Sequence, residues 1–496
     1  MRQRTIPIFL VVLCLAALLL RLYFSFSVPN FTYDSYFHIR QVESIHNTGF
    51  PLINDPLAKD NSPIVFSFLY DYVLAFFSFF IPLVYLFKII PNLFLTLAII
   101  PVFFIAKEMV RNEFLALIGA GFFAFVPFII EKTVFSISSL SLFLLLLLCL
   151  FYAFIKMKEK VYFQLAIFLL FAVSFLSPLS LILIPIFWFH YLILKIERIP
   201  EREKEQELII FATFLIILAQ IIVYKKAILL HGLGVFSGNL PTIIMNSYFW
   251  NTDILGVIYA VGIIPFLLGI SAVYMFSFSE KERVASLLIS LVTVIGFFLL
   301  LHAIPIVTGI ILLSVGMCIL SVTSLESLFI YFKKTTFSSY TIPLFGIIIL
   351  FFILTSIFPS IHSTRGEQIV SSDEIIVLNW IRENVQSHEK ILVHPRDGFL
   401  MQTVGLHKPV IDENYLLVKD SDVLYQNVIS AFTTKFETEA TDIFDRYNIT
   451  YLYISPNVFR EFGIKEPDYL NDERCFQKEF VNNGSVYRIK CSLKQI

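Results

Sequence analysis

The feature that most constrains this chain is a succession of eleven apolar stretches, at 6–27, 91–106, 114–130, 134–155, 161–176, 178–194, 208–223, 254–277, 284–301, 304–322 and 340–358. A helix needs roughly 17–25 such residues to span the hydrocarbon core of a bilayer. No water-soluble core could absorb them all. Of the 496 residues 57% are hydrophobic and only 15% are charged, where a soluble domain carries about a quarter charged. The chain therefore reads as a polytopic α-helical membrane protein. It starts Met-Arg-Gln-Arg and leaves the first stretch through Leu22-Tyr23-Phe24, without the small-residue exit of a cleaved signal. A retained anchor helix is expected.

Orientation follows from the basic residues. A further apolar stretch, 64–87, holds Asp71 and Pro82. If it does not cross, the strongly basic short segments all fall on one side: Arg2 and Arg4, Lys107 and Arg111, Lys156 with Lys158 and Lys160, KIERIPEREK at 195–204, SEKER at 279–283, and Lys333 with Lys334. That satisfies the positive-inside rule, whereas a crossing inverts every later loop. The stretch is thus read as a re-entrant or interfacial part of a long first external loop, 28–90. The expected topology has eleven crossings, a cytoplasmic N-terminus and an extracytoplasmic tail. It divides into a transmembrane domain over 1–360, with a second external loop at 224–253, and a small extracytoplasmic α/β domain over 361–496. Within the tail, SSDEIIVLNWIRENV (371–385) carries a cap signal and helical periodicity. EKILVHP (389–395), ITYLYISP (449–456) and SVYRIKCSL (485–493) read as strands. Cys475 and Cys491 can pair if the tail meets an oxidising compartment. Cys14, Cys149 and Cys318 lie in apolar stretches and read as packing residues.

The formal net charge is -1. No zinc finger, basic helix or RNP-like strand occurs, so nucleic acid is not an expected partner and membrane lipids are. A transporter is also disfavoured: no inverted repeat or run of mid-membrane polar residues stands out.

Polar chemistry concentrates just after the first apolar stretch, in FTYDSYFHIRQVESIHNTGF (31–50). Asp34 precedes an amphipathic segment and is well placed as a helix N-cap, with His38 on the same helix face. The order Asp34-Ser35-Tyr36-Phe37-His38-Ile39-Arg40 resembles the D-x-[WY]-[YF]-H-x-R pattern that opens the first external loop of oligosaccharyltransferase catalytic subunits. More widely it resembles the C-type glycosyltransferases. The long first loop, the many spans and an external C-terminal domain extend the resemblance to most of the chain.

The resemblance implies sugar transfer from a polyprenyl phosphate or pyrophosphate donor at the outer membrane interface, to a protein, lipid or glycan acceptor. It implies that Asp34 either helps bind a divalent cation or acts as the base toward the acceptor, and Asp34 is the expected catalytic residue. His38, Arg40, Asp55, Lys132, Lys225 and Lys226 are the expected substrate-binding residues. The second family motif is matched at Pro127, Lys132 and Thr133, but Ser139 and Ser141 stand where an acid pair is expected. Serine hydroxyls are poor substitutes for carboxylates around Mg²⁺. The third motif reads Thr242-Ile243-Ile244-Met245, without its acid, and Asp253 follows. The tail motif WWDYG is absent; Asp397-Gly398 occupies its place.

No metal ligand and no cofactor is assigned on these residues. If a cation takes part, it is Mg²⁺ or Mn²⁺. The alternative is a catalytically inactive frame serving cell-surface glycan assembly. Among the other polar residues, Arg21 and Asp71 are candidates for an intramembrane pair. Glu131 and Lys132 are candidates for an interfacial ion pair, and Lys88 and His302 read as interfacial.

Overall fold

The computed structural model describes residues 6–58, 64–200, 202–232, 254–278, 283–336, 340–357, 369–414, 418 and 420–493. The Thr242–Met245 motif and Asp253 lie outside the described residues. A helix occupies each of the eleven apolar stretches, but their lengths differ. Ile6–Ser27 (α1), Leu83–Met109, Pro178–Ile196, Glu203–Leu229, Arg283–Leu300 and Ile306–Lys334 are long and apolar enough to cross a membrane. Two more candidates are bent pairs: Glu113–Ala124 with Pro127–Thr133, at 42°, and Ile254–Val261 with Ile263–Phe276, at 101°. By length and composition this gives six to eight candidate spans among the described residues, fewer than the eleven expected. The reason is local. Pro127 at a helix start and Gly262 at φ 96° break two stretches. Leu140–Ile155 and Lys160–Leu176 have 16 and 17 residues. At about 1.5 Å per residue they reach roughly 24–26 Å, at the lower edge of what spans a hydrocarbon core.

The stretch 64–87 divides in two. Leu69–Ser78 (α3) has 10 residues, about 15 Å, and is too short to cross. The chain then turns at Phe79–Pro82, and the next long helix begins at Leu83. Lys88, expected at an interface, is instead buried inside that helix. Its amino group donates to the carbonyls of Ser25 (3.0 Å) and Val28 (2.6 Å). Those are among the carbonyls that the end of α1 leaves unpaired.

The central element is Ile306–Lys334, with 78% of its apolar window buried. It is approached closely by other helices. A Cβ on Gly269 would lie 3.1 Å from the Met317 Cα and carbonyl oxygen, so a small residue is required at that crossing.

The tail carries its own apolar cluster around Leu392, Tyr425, Phe432, Phe444, Leu452 and Phe476. Its five-stranded sheet has the order β2-β1-β3-β5-β4: β1 is Lys390–Leu392, β2 Lys408–Pro409, β3 Tyr451–Ile454, β4 Phe476–Asn482 and β5 Gly484–Ile489. β2, β1 and β3 are mutually parallel, while β5 pairs antiparallel with β3 and β4. The anticipated helix is present as Ser372–Asn384, started by a Ser371–Glu374 capping box, the signature that its sequence carries. Cys475 and Cys491 form a disulfide with Cα atoms 4.8 Å apart.

Candidate active site

Asp34 stands between α1 and Ser35–Thr48 (α2). It occupies the N-cap position of α2, yet its carboxylate makes no capping hydrogen bond, and the side chain is exposed. The neighbouring residues hold the turn. The Ser35 hydroxyl accepts from the Ile137 amide (2.9 Å) and pairs with Thr32 Oγ1 (2.8 Å). This ties the turn to the segment before Leu140–Ile155. The same turn is tied to the tail. Tyr33 donates to Glu374 (2.7 Å), Thr403 Oγ1 donates to the Tyr36 carbonyl (3.0 Å), and Phe37 packs on Phe399 at 5.0 Å between ring centroids. Asp34 is thus set where membrane helices and tail meet.

There it lines a cavity of about 480 Å³. Lys132, Ser139, Ser141, Arg396, Glu413, Asn457 and Arg460 line the same cavity, and Leu179, Ile306 and Ile311 supply an apolar side. The start of Ile306–Lys334 also faces it. That helix has Pro305 at its N-cap and no capping side chain, so its first amides and the positive end of its dipole favour an anion. Lys132 sits at the end of the short helix Pro127–Thr133 and pairs with Glu131 at 2.8 Å.

The tail residues share a physical origin. Arg396 follows β1, Glu413 follows β2, and Asn457 and Arg460 follow β3. Because these three strands are parallel, all four residues emerge at one end of the sheet. The crevice beyond the carboxyl ends of parallel strands is where such sheets bind ligands. Sequence reading singled out none of the four. The available signal was that each follows a short β-branched or aromatic run within a few residues.

The remaining expected residues lie elsewhere. Arg40 makes a bidentate pair with buried Asp55 (2.7 Å to each oxygen) and donates to the Gln402 carbonyl (2.6 Å). His38 Nδ1 lies 2.7 Å from Asp71. Arg21 therefore does not pair with Asp71. It bonds Asn92 (3.0 Å) and Thr133 (2.5 Å). Lys225 and Lys226 are exposed on the helix Glu203–His231 and do not line the cavity.

Asp397, which holds the place of the WWDYG motif, is buried. It accepts from Asn457 Nδ2 (2.6 Å), thereby fixing a cavity-lining side chain. Burial, partly offset by His394, pushes its carboxyl up to about 6. Between pH ~4 and ~6 the folded chain holds a proton there that the unfolded chain has released. Stability relative to Asp397→Asn is therefore expected to fall as pH rises through that window. Melting curves of both proteins in detergent from pH 4 to 7 check this, and parallel profiles contradict it.

The cavity offers two carboxylates, Asp34 and Glu413, and two hydroxyls, Ser139 and Ser141, beside three cations, Lys132, Arg396 and Arg460. Among the described residues, the group of potential metal ligands in mutual reach is Glu437 with Cys475 and Cys491, whose sulfurs are bonded to each other. Lys132, Arg396, Arg460 and the open helix start at Ile306 give the cavity a side that attracts an anion.

No family model matches the sequence, and no curated protein sequence matches it. Solved structures do match. The oligosaccharyltransferase AglB of Archaeoglobus fulgidus, in complex with an inhibitory peptide and a dolichol-phosphate, superposes with a TM-score of 0.67 at 13% identity, over 89% of this chain and 69% of that one. ArnT of Cupriavidus metallidurans, bound to undecaprenyl phosphate, superposes with a TM-score of 0.56 at 10% identity, over 97% and 98% of the two chains. This chain shares the fold of these two structures. A further structure of the Archaeoglobus enzyme, in complex with Zn and sulfate, matches at a TM-score of 0.62 and 14% identity, over 93% and 71%. Identities this low carry the fold and leave the chemistry to be argued from the cavity.

Proposed function

We propose that this chain is an integral-membrane glycosyltransferase. It takes a sugar or oligosaccharide from a polyprenyl phosphate or pyrophosphate and passes it to a protein, lipid or glycan acceptor at the extracytoplasmic face. The observation that carries this reading is the joint placement of Asp34 with Lys132, Arg396 and Arg460 around one cavity. The cations and the open helix start receive the donor phosphate. Asp34 takes the proton of the attacking acceptor. Arg40, Asp55 and His38 position the loop that holds it. Lys225 and Lys226, exposed at a helix end, suit lipid headgroups better than the donor. The lipid phosphates held by the AglB and ArnT structures support the donor class.

The expected orientation has two supports. The Lys107–Glu113 and Lys156–Glu108 pairs mark the basic end of the bundle, at the helix ends opposite those lining the cavity. The Cys475–Cys491 disulfide belongs to an oxidising compartment. The domain split expected near residue 360 lies outside the described residues.

The test is sugar transfer by purified protein over a range of donor concentrations. Lys132→Ala and Arg460→Ala are each expected to raise the donor KM about 10–100-fold, the loss of a charge-assisted hydrogen bond worth ~1.5–3 kcal/mol. Transfer is expected to persist in EDTA. Unchanged KM in both variants removes the phosphate assignment. Loss of transfer in EDTA with recovery in Mn²⁺ removes the metal-free account. The inactive-frame alternative gains if no donor is used at all.

A further inference from the structure

Asp34 is not the only carboxyl at the cavity. Glu413 reaches it from the opposite side, after β2 of the tail, and its side chain is within hydrogen-bonding reach of Asp34. Two carboxyls that close disfavour double ionisation. Charged residues face the pair from several sides among the described residues. Lys132 stands on the membrane-helix side, Arg396 and Arg460 on the tail side, and Asp412 precedes Glu413 in the chain.

Resting on the glycosyltransferase reading, we propose that Glu413 is a positioning residue, which forms with Asp34 a carboxyl pair sharing a single proton. Glu413 holds the proton and donates to Asp34, so the Asp34 side chain is oriented toward the acceptor. In the transfer step the acceptor oxygen or nitrogen forms a bond to the anomeric carbon. The bond from that carbon to the phosphate oxygen breaks, and its electron pair leaves with the lipid phosphate. The acceptor's proton passes to Asp34, leaving the pair doubly protonated, and one proton is then released to water in the cavity. Burial, together with the adjacent Asp34 carboxyl, holds Glu413 well above the usual carboxylate range, so the bridging proton stays in place at neutral pH. A doubly ionised pair would set a second negative charge against the anionic donor and the departing phosphate. The shared proton prevents this. The arrangement also makes catalysis depend on docking of the tail, because neither half of the chain supplies the pair alone.

Infrared difference spectroscopy of the full-length protein in detergent at pH 7 tests the pair without any substrate. The wild type minus Glu413→Gln spectrum is expected to show a protonated-carboxyl band. The wild type minus Asp34→Asn spectrum is expected to show that band shifted in frequency, because burial still holds the proton on Glu413 while its hydrogen-bond acceptor changes from a carboxylate to an amide. Absence of the band from the first difference overturns the shared proton. Transfer assays then test the positioning role. Glu413→Ala is expected to lower transfer at least tenfold. Glu413→Gln, which can still donate to Asp34, is expected to recover several-fold over Ala. Transfer by Glu413→Ala at the wild-type rate, or Gln as low as Ala, overturns that role. If wild type uses no donor, the glycosyltransferase reading fails, and the infrared result still decides the pair.

Discussion

Asp34→Asn is expected to reduce sugar transfer about 10²–10⁴-fold, the usual contribution of a positioned general base, while the protein stays folded. The substitution keeps the side chain's shape and loses only its charge and basicity. Folding should tolerate it because the Asp34 carboxylate makes no capping hydrogen bond with α2. The helix start is held instead by Ser35, bonded to Thr32 within the turn and to Ile137, and by Tyr33, bonded to Glu374 in the tail. The check is a transfer rate measured beside a melting curve. A large loss of rate with an unmoved melting temperature assigns Asp34 to chemistry. A melting temperature that falls together with the rate returns it to the role of a structural cap.

Arg40→Ala is expected to do the reverse and strike stability first. Its guanidinium is bonded bidentately to Asp55, whose side chain is fully buried, and it also reaches the Gln402 carbonyl in the tail. Removing it leaves a buried carboxylate without its counter-ion, a change that typically costs about 3–5 kcal/mol. The loss falls on the joint between the first loop and the tail, so transfer fails because the cavity is no longer assembled. The double variant Arg40→Ala with Asp55→Ala is expected to recover part of the stability, since no charge is then stranded. Melting of the two single variants and the double in the same detergent checks this. A change below ~1 kcal/mol in Arg40→Ala means that the pair behaves as an exposed one.

These two residues also show how far the sequence could be read. Both were legible as members of one polar stretch, because residues close in sequence carry a pattern that survives without the fold. What separates them is tertiary. Asp34 faces the cavity while Arg40, six positions on, turns toward Asp55 and the tail. The helices were legible from hydropathy, and so was the Ser371–Glu374 helix start. Their lengths were less so, because a sliding apolar average passes over Pro127 and Gly262, where the backbone bends. Lys88 was misplaced for a related reason. A lysine in an apolar run suggests an interface, yet carbonyls left open at the end of α1 give its ammonium partners inside the bundle. The Arg21–Asp71 pairing failed because neutral partners, Asn92 and Thr133, lay nearer to Arg21. Arg396, Glu413, Asn457 and Arg460 were not legible as a group. Their convergence depends on three short strands aligning in parallel, and β2 has only two residues.

The central claim is that the cavity shared by Asp34, Lys132, Arg396 and Arg460 works on a lipid-linked sugar phosphate. The most direct measurement is sugar transfer by the purified wild-type protein from a panel of radiolabelled polyprenyl-phosphate and polyprenyl-pyrophosphate sugars, run with protein, lipid and glycan acceptors. The account predicts transfer from at least one donor, lost in Asp34→Asn. Well-folded wild-type protein that transfers nothing from any of them would contradict it.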